Sequence, residues 1–211
     1  SASDIEIKNN QNLTIANNAT ATIKDDGIII EGIKIEYFKD RSLIIVNNGK
    51  ISKIDNSLTI NSDIFEYFID EGKLDFVNNV YIKDKKNNLI IYSDKINYDI
   101  NNQIIFGQGS SKILDEFNNT YDVSQFEYSV KNRIIKLSNA KVLDKNKNSI
   151  DLEIAYLDLI KKELVAKDIG LNFKISENSE NEPRLKGRSL VSDENNTIVE
   201  KGTFTFCKKR E

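Results

Sequence analysis

Five tyrosines, Tyr37, Tyr67, Tyr98, Tyr128 and Tyr156, recur at steps of 30, 31, 30 and 28 residues, each two positions after an apolar residue: Ile35, Phe65, Ile96, Phe126 and Ile154. An apolar pair returns six to eight residues later, as Leu43 with Ile45, Leu74 with Phe76 and Ile104 with Phe106. A fixed period means that one supersecondary unit is stacked many times, and such a unit buries its apolar face only against its neighbours. The repeat therefore decides the architecture.

The unit reads as one traverse out and one back. Between Ser57 and Asn88, Leu58-Thr59-Ile60 alternates as a strand, Asn61-Ser62-Asp63 interrupts it, and Ile64 to Phe68 resumes before a turn at Asp70-Glu71-Gly72. The return repeats the scheme, with Asn78-Asn79 as its interruption. Short reversals, read as two residues at Asn101-Asn102 and Lys131-Asn132, join antiparallel strands, because parallel strands need a dozen or more connecting residues. Residues 154–165 also fit a helical period, but the repeat favours strand.

Nearly every traverse carries a polar breaker or Gly at the same depth: Gly32, Asn47-Asn48-Gly49, Ser62-Asp63, Asn78-Asn79, Ser93-Asp94, Gly107-Gln108-Gly109, Ser138-Asn139, and Asp168 with Gly170. Breakers inside strands mark bends and bulges. A bend at one depth folds the ribbon along a crease into two facing half-sheets. The predicted fold is all-β, a semi-open jellyroll of consecutive antiparallel strands. Its inner face is expected to carry Ile35, Tyr37, Phe65, Tyr67, Phe76, Ile96, Tyr98, Phe106, Phe126, Tyr128, Ile154 and Tyr156, with Glu66, Lys95 and Glu127 facing water. If the half-sheets pack tightly this interior is a core; if they splay, it is an apolar groove that could hold hydrocarbon chains.

Other function classes find little support. With 30 Lys and Arg against 33 Asp and Glu, no basic field marks a nucleic-acid site. The chain has no His, so a Ser-His-Asp triad and the usual zinc sites are excluded, and its single Cys207 has no partner within the sequence. Gly107-Gln108-Gly109 lacks the third Gly of a dinucleotide loop. Asp144 to Asn148 opens like a calcium loop, but Ser149 and Ala155 stand where Gly and Glu are required. No catalytic residue, cofactor or metal is expected. The start Ser1-Ala2-Ser3-Asp4, without Met, suggests a mature or trimmed chain.

The C-terminal text, Asn181-Glu182-Pro183-Arg184-Leu185-Lys186-Gly187-Arg188-Ser189-Leu190 and Lys201-Gly202-Thr203-Phe204-Thr205-Phe206-Cys207-Lys208, resembles the segment that leads from the periplasmic domain into the β-barrel of the LptD (OstA) lipopolysaccharide-assembly proteins. The upstream repeats are similar to the OstA-type fold shared with LptA and LptC. The resemblance implies residues 1–176 as OstA-like repeats, followed by a loop and a hairpin over 177–211. It implies lipopolysaccharide transport on the periplasmic side of the outer membrane, with acyl chains inside the fold. It also implies three partners: lipopolysaccharide, a bridge protein of LptA type, and in the intact protein an outer-membrane barrel with its plug lipoprotein. Cys207 would then join a disulfide with that barrel. The first strands, carrying Ile5, Ile7, Leu13 and Ile15, form the edge at which the bridge protein would add a strand. Two alternatives stay open: a structural β-repeat with a dry core, such as an adhesin segment, and a soluble LptA-type bridge.

Overall fold

The computed structural model describes residues 1–144, 148–173, 183–193 and 196–205. They separate into two compact units, Ser1–Gly109 and Ser110–Glu211. The first holds β1 (Asp4–Lys8), β2 (Leu13–Ile23), β3 (Ile28–Phe38), β4 (Leu43–Lys53), β5 (Leu58–Phe68), β6 (Lys73–Asp84) and β7 (Leu89–Asp99). The boundary falls within β8 (Ile104–Leu114). The second holds β9 (Thr120–Ser129), β10 (Ile134–Leu143), β11 (Ser149–Asp158), β12 (Glu163–Asn172), β13 (Arg184–Ser192), β14 (Thr197–Glu200) and β15 (Thr203–Thr205). Strand order is chain order, with β14 and β15 both on β13, and every registered pair is antiparallel. The all-β ribbon of consecutive strands is thus what the chain forms, and residues 154–165 lie in β11, β12 and the turn between them.

The reversals are four residues long, not two. Ser129 pairs with Ile134 across residues 130–133, and Ile23 pairs with Ile28 across 24–27. The last residue of most of these turns is left-handed, Ser42, Gly72, Gln103, Arg133 and Lys162 at one end of the traverses, Gly27 and Asn88 at the other, while in the turn between β4 and β5 it is the third, Asn56. A four-residue turn closed by a left-handed residue lets the flanking strands keep their right-handed twist. An 11-residue strand plus such a turn advances the chain by 15, half the tyrosine period.

The crease is visible in the ladders. Asn18 and Ile33 drop out of the β2–β3 pairing, Ile33 and Asn48 out of β3–β4, and Asn48 and Asp63 out of β4–β5. In the second unit Ser124, Asn139, Glu153, Asp168 and Arg188 drop out in turn. On every even-numbered strand from β2 to β12 the bend contains a left-handed residue: Asn18, Asn48, Asn78 with Asn79, Gly109, Asn139 and Asp168. Asn, Asp and Gly enter that region at low cost, which explains the Asn-rich breakers. Lys201, also left-handed, plays this part between β14 and β15, so those two pieces form one bent traverse.

Across the bends of β5, β7 and β9 the inward positions are three apart rather than two, as in Ser62 with Phe65, Ser93 with Ile96, and Val123 with Phe126, all buried, whereas the extra residue on β6 puts Phe76 and Val80 four apart. Two successive residues therefore face outward at the crease, and both arms of the strand point their apolar side inward. That odd step turns a pleated ribbon into a folded one.

Candidate functional site

The inner face is an extended apolar surface that the repeat builds in both units, and it is laid out in cross-strand rows. In the first unit Tyr37, Ile44, Tyr67, Leu74 and Tyr98 stand opposite one another in succession. The next row toward the crease is Ala16, Ile35, Val46, Phe65, Phe76 and Ile96. Beyond the crease, Ile30, Ile51, Ile60, Ile82 and Ile91 form an isoleucine row on the facing arm. These isoleucines did not figure in the expected lining. Their signal is in the sequence, since Ile30, Ile60, Ile91 and Tyr121 each precede a repeat tyrosine by seven residues.

Burial distinguishes a core from an open channel. Phe65, Tyr67, Leu74, Phe76, Ile82, Ile91 and Ile96 are 0% exposed, so no water-sized space borders them. A methylene is larger than water, and the interior around β5–β7 is therefore packed and dry. Ile35, Tyr98, Phe126 and Tyr128 are also buried, while Tyr37 is half-buried near the β1 end.

Three expected lining residues do not face inward. Phe106 is half-exposed, and its neighbours Ile105 and Gly107 are buried in its place. The extra residue at the Asn78-Asn79 bulge lengthens that repeat to 31, so the equivalents of Leu74 and Phe76 are Ile105 and Gly107. Ile154 and Tyr156 are exposed by 38% and 47%. The crease step from Asn139 to Glu153 is one residue short, so Leu157, four residues past the crease like Tyr128, takes the inner position. A one-residue slip exchanges the faces of a strand. Tyr156 instead joins an outer apolar row with Val165, Val191 and Ile198.

Glycines mark the closest approach at the crease. A Cβ on Gly49 would lie 2.4 Å from Val46 Cγ1 and 2.6 Å from Phe65 Cε1, and one on Gly32 would lie 2.4 Å from Val46 Cγ1. The buried phenols find partners or stay neutral. The Tyr67 hydroxyl donates to the Asp26 carboxylate, and that of Tyr121 donates to Asp115 Oδ2 at 2.8 Å. Burial raises the Tyr67 hydroxyl far above its ordinary value, with Asp26 adding to the shift. Burial, helped by Asp99, pushes Tyr98 up to about 12, and burial with Asp115 raises Tyr121 well above the usual range. These interior phenols thus carry no charge at neutral pH.

The edge differs from expectation in one respect. β1 is the edge strand, and Ile5 and Ile7 on it are 60% and 64% exposed. Leu13 and Ile15 lie on β2, which is paired on both sides, to β1 and to β3, so they are not edge residues. Ile5 stands opposite Ala16 and Ile7 opposite Thr14, which continues the inner rows outward, and none of the described residues covers them. Cys207 lies outside the described residues. Among the described residues no three His, Cys, Asp or Glu gather as a metal site. At the crease of the second unit, a shallow trough of ≈ 660 Å³ is lined by Lys141, Asp151, Glu153, Asp168 and Lys186 together with Ala140, Leu152 and Ile169.

No protein-family profile matches the chain, and no curated protein matches it. Among solved structures, one similar to it is LptH of Pseudomonas aeruginosa, described as the LptA-homologous periplasmic component of the lipopolysaccharide transport device. It is 11% identical over 60% of this chain and 81% of its own, with a TM-score of 0.40.

Proposed function

We propose that this chain is a component of lipopolysaccharide assembly on the periplasmic side of the outer membrane, handling acyl chains between its half-sheets and joining a bridge protein through β1. One observation carries the reading: the inner apolar rows do not end in a polar cap but run out at Ile5 and Ile7, uncovered and in register with Ala16 and Thr14. A stacked repeat meant to stand alone closes its ends with polar faces. An added strand would pair with the free side of β1 by backbone hydrogen bonds and carry the rows onward. The C-terminal text supports an LptD-type domain over a soluble LptA-type bridge, and Cys207 then pairs with the barrel.

The dry interior is compatible with transport on energetic grounds. Enclosing hydrocarbon taken from water gains about 0.8 kcal/mol per CH2, which would trap a chain lodged in a preformed cavity. Entry into a packed interior instead exchanges protein–protein for protein–lipid contact, and the net change is small. The same dryness favours the second reading, a structural repeat with a permanent core.

Photo-crosslinkers at Ile5, Ala16 and Ile35 decide between them when the chain is incubated with lipopolysaccharide. Transport predicts capture at these three and none at Glu66, Lys95 or Glu127. Equal labelling of both sets would remove the lipid reading and leave the structural one.

A further inference from the structure

The turns of each unit form two rows, one at either end of the traverses. In a flat ribbon these rows would be separated by a whole strand, roughly 35 Å for 11 residues. Side chains nevertheless join them. In the first unit the Tyr67 hydroxyl, on β5, donates to Asp26 in the turn between β2 and β3. Lys53 Nζ, at the far end of β4, donates to Gln103 Oε1 at 3.3 Å, in the turn after β7. In the second unit Lys162 Nζ, in the turn between β11 and β12, lies 3.2 Å from Glu116 Oε1 and 5.1 Å from the centre of the Phe117 ring, both in the turn between β8 and β9. Each contact runs between the two ends of the traverses, skipping two strands for Tyr67 with Asp26 and three for the other two pairs, so the offset is similar in both units.

A similar offset follows from twist. Two half-sheets folded on a crease cross at an angle, and the edge of one arm meets the other arm several strands along. The contacts therefore lie across the mouth opposite the crease, where no backbone hydrogen bond among the described residues closes the ribbon. Behind them lies the dry interior.

We infer that these polar contacts are latches on a lateral seam, and that the inner face becomes accessible by their release rather than by threading through the ends of the fold. The contacts suit a reversible closure. They are side-chain bonds with at least one partner in a turn, and breaking them leaves groups that water can solvate once the seam parts. Opening swings two intact half-sheets apart without disturbing a strand ladder. As an entry route for acyl chains, the seam rests on the reading given under Proposed function.

The test uses the full chain with Cys207→Ser and a single probe cysteine in a small, buried crease position, Ser93→Cys for the first unit and Ala140→Cys for the second. Native-state labelling by a small thiol reagent reports opening. Tyr67→Phe and Gln103→Ala should each accelerate labelling at position 93 several-fold, beyond what global unfolding measured in urea accounts for. Lys162→Ala should do the same at position 140. Labelling that is unchanged, or that moves only in step with global unfolding, would overturn the inference.

A second arm places cysteines at 53 and 103, again without Cys207, and joins them with a flexible bis-maleimide. The tether should block both labelling at a crease probe and uptake of dansylated lipid A. Free uptake by the tethered chain would overturn the seam as the route. No uptake by the untethered chain would instead overturn the transport reading, while labelling still decides the latch.

Discussion

Phe65 and Phe76, with ring centres 5.0 Å apart on β5 and β6, occupy in the first unit the inner row that Ala155 and Ala166 occupy on β11 and β12 of the second. At the crease the sizes are reversed. The first unit places Ala19, Gly32, Gly49, Ser62, Val80 and Ser93 there, and the second places Val123, Ala140, Leu152 and Ile169. All of these are buried except Gly32, which is half-buried. The two units hold the same traverse and the same bend, and Phe126 and Tyr128 repeat Phe65 and Tyr67, but on β11 and β12 alanine replaces the aromatic row. Interiors are packed to a fixed density, so a large side chain in one row is balanced by a small one in the next. Ser62 precedes Phe65 across the bend of β5 and Leu152 precedes Ala155 across that of β11, whereas Val123 and Phe126 are both large on β9.

The largest expected effect tests that exchange directly. Phe65→Ala should cost about 3–5 kcal/mol, because the cavity cannot collapse between rigid half-sheets. Adding Ser62→Leu should recover part of the loss, with a non-additive coupling measured by urea denaturation. In the second unit Ala155→Phe should cost about 1–3 kcal/mol by overpacking, relieved by Leu152→Ala. If neither pair couples, the reciprocal packing of the two units is coincidental.

Next in size is Gly49→Ala, expected to cost about 1–3 kcal/mol through collision with Val46 and Phe65. In the Phe65→Ala background the cost should fall, since one of the two colliding groups is gone. Gly170 offers the contrast. A Cβ there would meet nothing closer than 4.0 Å, so Gly170→Ala in the second unit should leave the urea midpoint nearly unchanged.

Removing a latch hydroxyl should matter less. Tyr67→Phe keeps the ring in the core and loses one hydrogen bond, so about 0.5–1.5 kcal/mol of stability in the first unit should go, read from a thermal melt.

The smallest effect is acid sensitivity in the first unit. Asp99 accepts hydrogen bonds from the backbone and then the side chain of Asn102, and Asp55 from the hydroxyl and then the backbone N–H of Ser57, which holds both carboxyls below their ordinary value. A carboxyl depressed on folding adds stability above its unfolded value, and that stability is lost as pH falls through the folded value. The first unit should therefore weaken slightly below about pH 4. Replacing both by Ala should flatten that limb of the pH–stability curve.

Much of the architecture was legible before any coordinates. The period, the antiparallel reversals and the breakers at constant depth follow from local rules of turn chemistry and pleat. The errors cluster where one residue is added or lost. Tyr156 and Ile154 look like the next repeat, but the short step from Asn139 to Glu153 turns them outward, and the long repeat through Asn78-Asn79 moves Phe106 off the inner face. A tyrosine is easy to follow along a sequence, whereas a dropped crease residue carries no side-chain signature.

The sequence by itself determined that the chain is a ribbon, where it bends and how many residues make a traverse, because these depend on neighbours a few positions apart. Tertiary structure decided whether the bent arms touch, which volumes fill the space between them, and that Tyr67 reaches Asp26 and Lys53 reaches Gln103 across 41 and 50 residues. Those outcomes depend on the twist summed over several strands and on the total volume of the inner rows, and no local stretch of the chain specifies either quantity.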